Sequence, residues 1–372
     1  MRKVVIIFAG IFSLLAVMLV VFMIYIINHN GNETGSPIEL KLVNTQQIKL
    51  GDINNIEIKY YADDIEFYKS ESSDLILKEY KTYTPTQEEL AIIISKNGQL
   101  SIEGEQGNKK GFSWSNHYGK AEVYLPSDYV KNLNVSTSSG KIKSDLSFKF
   151  DDFQAVSASG EIRFNEVIGQ KLQFSTASGN ITLEKTEGNR KVITTSGSIK
   201  LNSGDGDSFV QSSSGAIYIK GSNGAISAKS ISGNIKIADN SGTKDLGTSS
   251  GTIIVDHSSG DIYAKSVSGA IKIDSLEGNC KLESVSGVLT LDIQKLKDTI
   301  TMNSTSGDIK LKVPGTSAFG IKADGVSGRV RTNFDDLITI DQNKNHASGS
   351  VGENIETSIQ LNSVSGNISV QR

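Results

Sequence analysis

Apolar residues follow three different rhythms along the chain. Val4 to Asn28 is a continuous run with no charged residue. From about residue 38 to 135, short alternating or apolar stretches appear without a fixed period: Ile56-Glu-Ile-Lys-Tyr-Tyr, Asp64-Ile-Glu-Phe-Tyr, Leu75-Ile-Leu, Leu90-Ala-Ile-Ile-Ile, Leu100-Ser-Ile and Ala121-Glu-Val-Tyr-Leu. These predict short β-strands. After that the pattern becomes a repeat.

The repeat is centred on glycine. Gly179, Gly188, Gly197, Gly206, Gly215, Gly224, Gly233, Gly242, Gly251, Gly260, Gly269, Gly278 and Gly287 stand nine residues apart. Alternate glycines carry a stronger motif, with twelve copies ending in Gly140, Gly160, Gly179, Gly197, Gly215, Gly233, Gly251, Gly269, Gly287, Gly307, Gly328 and Gly366. Serine precedes the glycine in all twelve, and an Ile, Leu or Val stands two positions after it in all twelve. Four positions after, ten of the twelve are apolar. The unit Ser-Gly-x-Ile-x-Ile reads as a corner followed by a short alternating strand, with its Ile pair on one face. A weaker strand surrounds Val192, Val210, Ala228, Leu246, Ala264 and Leu282.

Two strands and two corners in 18 residues describe one coil of a two-sided stack. A single coil cannot bury its own apolar face, but stacked coils share a continuous core. The expected fold class is therefore all-β: a parallel β-solenoid with about 18-residue two-strand coils, an N-terminal β-rich cap and one N-terminal transmembrane helix. The cap would cover the open edge of the first coil. The expected organisation is 1–30 signal-anchor helix, 31–135 linker and β-rich cap, and 136–372 solenoid. Asn333 to Asn354 interrupts the rhythm and predicts an excursion, followed by a last coil over Ile359 to Val370. Glycine is expected to supply backbone freedom at the corners. The invariant serines are expected to stack and hydrogen-bond there.

Arg2 and Lys3 precede the apolar run, and no Lys or Arg lies between His29 and Glu39. A run of this length spans a bilayer as a helix. The charge asymmetry predicts a cytoplasmic N-terminus. A cleaved signal peptide has a shorter apolar core and a small-residue cleavage site, so an uncleaved anchor is the expectation. Localisation is then the cell membrane, single-pass, with the bulk extracytoplasmic.

Composition narrows the function classes. Net charge is -3, which does not suit a nucleic-acid binder. The single cysteine, Cys280, excludes an intramolecular disulfide and a multi-cysteine zinc site. It falls in an apolar slot and reads as a small buried hydrophobe. A calcium-binding nonapeptide roll shares the period of nine but needs recurrent Gly-Gly-x-Gly-x-Asp, and here Gly-Asp-Gly-Asp occurs once, at 204–207. The four histidines, His29, His117, His257 and His346, show no ligand spacing.

Two charged columns remain. Asp256, Asp274 and Asp292 share the position five after glycine and should stack on adjacent coils. A polysaccharide-cleaving enzyme would need such carboxylates gathered in a cleft, and strict coils leave no long loops to build one. The position three after glycine holds Lys143, Arg163, Lys200, Lys236, Lys272, Lys310 and Arg331. Of these, Lys200, Lys236, Lys272 and Lys310 are the candidate polyanion-binding residues, because a regular outward positive row matches an anionic cell-wall polymer. No catalytic residue, cofactor or metal is expected.

Three further features coincide: an anchor or export segment, a Val-Tyr-Leu-Pro-Ser strand leading into Leu-Asn-Val-Ser-Thr-Ser-Ser-Gly-Lys-Ile, and the closing run Gly-Ser-Val-Gly-Glu-Asn-Ile-Glu-Thr-Ser-Ile-Gln-Leu-Asn-Ser-Val-Ser-Gly-Asn-Ile-Ser-Val. Together with the repeat these resemble the LiaG-like family of bacterial adhesin-like proteins, over roughly residues 50 to 372. The resemblance implies a β-strand-repeat domain of unknown function, associated with the cell envelope, with no catalytic residues to carry over. The function expected is a membrane-anchored, non-catalytic, adhesin-like envelope scaffold. An accessory role in envelope-stress signalling, through other membrane proteins, is the alternative. A carbohydrate-active β-helix enzyme is the third reading.

Overall fold

The structure is a computed structural model that describes residues 39–104, 118–297, 299–334 and 338–372. The expected anchor, 4–28, lies outside the described residues. The chain divides into a unit up to Leu40 and a unit from Lys41 to Arg372, and the second is the one described below. Among the described residues no helix is long and apolar enough to cross a membrane. The helical element there is one short 3-10 turn, Gln87–Glu89.

Lys41–Arg372 is an all-β parallel solenoid. In one sheet Ile181 lies opposite Ile199, and Ile217, Ile235, Ile253, Ile271, Leu289 and Ile309 follow in turn. In the other, Val192, Val210, Ala228, Leu246, Ala264, Leu282 and Met302 form the matching column. Both columns point inward and none of these residues is more than 1% exposed. Alternating Ala and Leu in the second column lets successive layers fill the space between the sheets at close packing. Cys280 is buried between Ile262 and Ile300, and burial pushes its thiol well above the usual range.

Coil width varies along the stack. From Ile181 to Leu289 the partners stand 18 apart, whereas Ile142 and Ile162 stand 20 apart and Ile162 and Ile181 stand 19 apart. The wider coils before Ile181 hold phenylalanines, with Phe153 and Phe164 edge to face at 5.1 Å and Phe153 and Phe174 at 5.5 Å.

The two glycine columns serve different needs. At the Ser-Gly corners the reason is room rather than left-handed backbone. A Cβ built on Gly197 would sit 1.7 Å from the carbonyl oxygen of Gly179 in the coil beneath. The intervening corners are crowded too and, unlike the Ser-Gly corners, left-handed: Gly224 has φ 114°, and a Cβ on it would sit 2.6 Å from the Gly206 carbonyl oxygen. The invariant serine just before each Ser-Gly glycine is exposed. The hydroxyl that closes the corner sits three residues before the glycine instead. Ser230 Oγ accepts the Gly233 N–H at 2.9 Å, and the same bond recurs from Thr137 to Ser363. These hydroxyls are buried, so each one satisfies a corner amide that water cannot reach.

Both ends of the stack are threaded out of sequence order. Near the N-terminus, Asn55–Tyr60 lies between Gln99–Glu103 and Asn132–Thr137. Likewise Asp64–Ser70 lies between Gly119–Pro126 and Ile142–Lys149. Residues 55–70 are therefore a coil of the stack, within the stretch the sequence suggested as a cap. The covering strands are Ile92–Lys96, Asp74–Lys81 and Lys41–Lys49, all antiparallel. At the other end, Thr357–Ser363 lies between Thr299–Ser304 and Phe319–Gly325. Ile368–Gln371 lies between Ile309–Lys312 and Val330–Thr332. The last coil in sequence is thus not the last in space. The excursion supplies Ile338–Ile340 and His346–Val351, an antiparallel pair that covers Phe319–Gly325. Antiparallel covers protect parallel edges that would otherwise pair with another chain.

Buried charge among the described residues includes three cations, Lys81, Arg190 and Lys244. Lys81 meets Asp63 at 2.7 Å at the N-terminal end, with the lysine side chain 1% exposed. Arg190 is buried against Thr186 Oγ1 at 3.0 Å and Ser222 Oγ. Lys244 occupies an inward slot between Ile226 and Ile262, where its ammonium donates to the carbonyls of Gly242 and Ser259 at 2.7 and 2.8 Å.

Candidate functional site

The outward side of the first sheet carries the expected basic row. Lys200, Tyr218, Lys236, Ile254, Lys272, Thr290 and Lys310 occupy one register position on successive coils. The lysines therefore sit on alternate coils, two strand spacings or about 9.6 Å apart along the axis. All four are exposed.

The carboxylate column runs beside them and changes the electrostatics. Asp256 lies opposite Asp274, but each carboxylate faces a lysine. Lys236 meets Asp256 at 3.3 Å, Lys272 meets Asp274 at 2.6 Å, and Lys312 meets Asp292 at 3.1 Å. The Asp274 carboxylate holds the Lys272 ammonium above its usual range. Among the described residues, Lys200 and Lys310 have no carboxylate within ion-pair distance. The row thus keeps two free cations and two compensated ones, which lowers its field relative to a bare ladder.

A tyrosine-rich patch lies on the same sheet near the N-terminal end. Tyr68 and Tyr124 stack at 5.0 Å, and Lys78 covers the Tyr124 ring at 4.5 Å. Tyr80 and Tyr124 both donate to Glu122, at 3.0 and 2.9 Å. The Tyr124 face and these hydroxyls are already engaged, so the patch is a cross-strand lattice rather than a stacking platform.

The second sheet offers a groove that the sequence did not announce. Its floor is one outward position on five successive coils: Lys265, Glu283, Asn303, Asn362 and Asp324. One wall is the corner ridge Val285, Thr305, Val364 and Val326, with Val326 70% exposed. His346 closes the end, and the hollow measures about 440 Å³. Asn362 Nδ2 donates to Asn303 Oδ1 at 2.8 Å. His346 Nδ1 lies 3.0 Å from Asp324 Oδ1, and Lys322 lies 3.3 Å from Asp324. Partial burial would raise the Asp324 carboxyl, but these hydrogen bonds outweigh it and hold the group below its usual value.

The histidines divide accordingly. His29 and His117 lie outside the described residues. His257 is exposed with φ 45°, in a corner column with Asp239 and Ser275, also left-handed. His346 gains a carboxylate partner that its position in the chain did not suggest. A signal for the groove was present: Met302-Asn-Ser-Thr-Ser-Gly and Leu361-Asn-Ser-Val-Ser-Gly place Asn303 and Asn362 in the same frame. Among the described residues no group of three or more His, Cys, Asp or Glu is placed to hold a metal ion.

No curated protein matches the chain. Solved structures similar to it include a candidate cell adhesion protein from Clostridium sporogenes, at 11% identity and TM-score 0.20, covering 90% of this chain and 99% of that one. A candidate adhesin from Bacteroides fragilis has 16% identity and TM-score 0.33, covering 68% and 100%. One from Parabacteroides distasonis has 16% identity and TM-score 0.36, covering 73% and 97%. The profile of one family, described as Toastrack DUF4097, matches residues 53–264 and again 245–371. With nearly the whole solenoid inside those two matches, the chain belongs to the Toastrack DUF4097 family.

Proposed function

We propose that this protein is a non-catalytic, adhesin-like scaffold of the cell envelope, held at the membrane by residues 4–28 with its solenoid outside the cell. The observation that carries this reading is the register of Lys200, Lys236, Lys272 and Lys310 on alternate coils of one rigid sheet face. A fixed row of exposed lysines, with Lys200 and Lys310 free of carboxylates among the described residues, suits a repetitive anionic wall polymer better than a small substrate. The carboxylates beside it are held by lysines, which leaves them poorly placed as a general acid and base pair. The adhesin names of the similar structures agree with this reading.

The test is co-sedimentation with wall material rich in teichoic acid, at low and high salt. Wild-type protein should pellet with the wall, and salt should release it, because the contacts are exposed. The variant with all four lysines changed to Gln should stay in the supernatant. Equal pelleting of variant and wild type would reject the lysine row as the binding face.

A further inference from the structure

We propose that the groove on the second sheet binds one strand of a neutral, β-linked polysaccharide along the solenoid axis. The groove lies on the opposite sheet from the lysine row, so this inference stands apart from the polyanion reading.

Charge is the first argument. Glu283 is met by Lys281 at 2.9 Å and Lys265 at 3.8 Å, and Asp324 is met by Lys322 and His346. Both floor carboxylates are thus already held in ion pairs, so the groove offers no free carboxylate to a cationic ligand.

Hydrogen-bonding capacity is the second. The Asn303–Asn362 bond uses one donor and one acceptor, and leaves the Asn303 amide nitrogen and the Asn362 carbonyl oxygen available on neighbouring coils. Sugar hydroxyls both donate and accept, so one ligand group type satisfies both. On either side, Glu283 and Asp324 already hold Lys281, Tyr263, Lys322 and His346, so the free capacity of the floor is that of the two amides.

Shape is the third. Val285, Thr305, Val364 and Val326 line one wall with methyl groups, a surface for the C–H faces of pyranose rings. Five coils give a groove of roughly 19 Å at strand spacing. That spacing lies close to the rise per residue of an extended β1,4-linked chain, so sugars and coils advance together along the groove.

The experiment is calorimetric titration of the full-length protein in detergent with neutral hexasaccharides, namely β1,4-linked glucose and β1,4-linked N-acetylglucosamine, and with polygalacturonate as the anionic arm. At least one neutral hexamer should bind, and its affinity should change less than about twofold between low and high salt, because no ion pair is exchanged. The Asn303→Ala/Asn362→Ala variant should weaken binding at least tenfold while keeping the wild-type melting temperature. Val326→Asp, a change at an exposed site, should do the same. The lysine-row variant should bind the hexamer as wild type does. Failure of both neutral hexamers to bind, undiminished binding by the groove variants, or binding of polygalacturonate alone would each overturn the proposal.

Discussion

Asn303 and Asn362 stand 59 positions apart in the chain and share a 2.8 Å hydrogen bond between adjacent coils. The bond exists because Thr357–Ser363 is inserted between Thr299–Ser304 and Phe319–Gly325. Simple stacking in chain order would have put residues 319–325 there. The C-terminal segment is thus an internal layer of the core, and Leu361 packs between Met302 and Ala323.

A buried charge should therefore be as damaging near the C-terminus as in the middle of the stack. Ile235→Asp and Leu361→Asp each place a carboxylate at a fully buried site, at an expected cost of several kcal/mol. Their outward neighbours, Lys236→Asp and Gln360→Asp, should cost about 1 kcal/mol or less. Thermal melting of the four variants checks the assigned facing. A tolerant Leu361→Asp would contradict the threaded order, since frayed ends accept such changes.

Glycine substitution separates room from conformation. Gly197→Ala should destabilise strongly, because its Cβ would lie 1.7 Å from the Gly179 carbonyl oxygen, and backbone must move. Gly247→Ala meets only Lys229 Cγ at 3.8 Å, so it should be neutral or stabilising by about 0.5 kcal/mol. Urea unfolding of the pair measures the difference. Equal midpoints would reject close corner stacking.

Lys244 should give the fold a dependence on alkaline pH. Burial pushes its ammonium down to about 8 from a usual 10.5. Between those values the unfolded chain binds more protons, so this residue makes stability rise with pH across that window. The contribution is fully present above the unfolded value and is lost as pH falls through the folded one. Subtracting the stability curve of Lys244→Met from that of the wild type isolates the effect from titrating tyrosines. A difference that stays flat from pH 8 to 10.5 would show that the two carbonyl hydrogen bonds keep Lys244 charged throughout.

The proposed membrane arrangement is checked by protease added to intact protoplasts. With residues 4–28 as an anchor and Arg2 and Lys3 inside, the solenoid should be digested from the outside. Survival of the full-length chain would reject an extracytoplasmic solenoid.

The sequence by itself determined the coil. Ser-Gly-x-Ile-x-Ile is a local pattern, and alternation plus a recurring corner glycine specify strand, facing and repeat length without reference to anything distant. The position of Lys200, Lys236, Lys272 and Lys310 on one face followed from the same arithmetic. The corner hydroxyl three residues before glycine is legible too, as Ser or Thr in eleven of the twelve copies, with Gly325 in the other. Tertiary structure decided the rest: which coil lies beside which at the two ends, that Asp256 and Asp274 would each face a lysine, that Asn303 would meet Asn362, and that Asp324 would meet His346. Strands of one repeat have nearly interchangeable edges and faces, so local pattern cannot choose among neighbours. That choice rests on the contacts of the covering strands and on burying both ends of the stack at once, which depend on residues far apart in the chain.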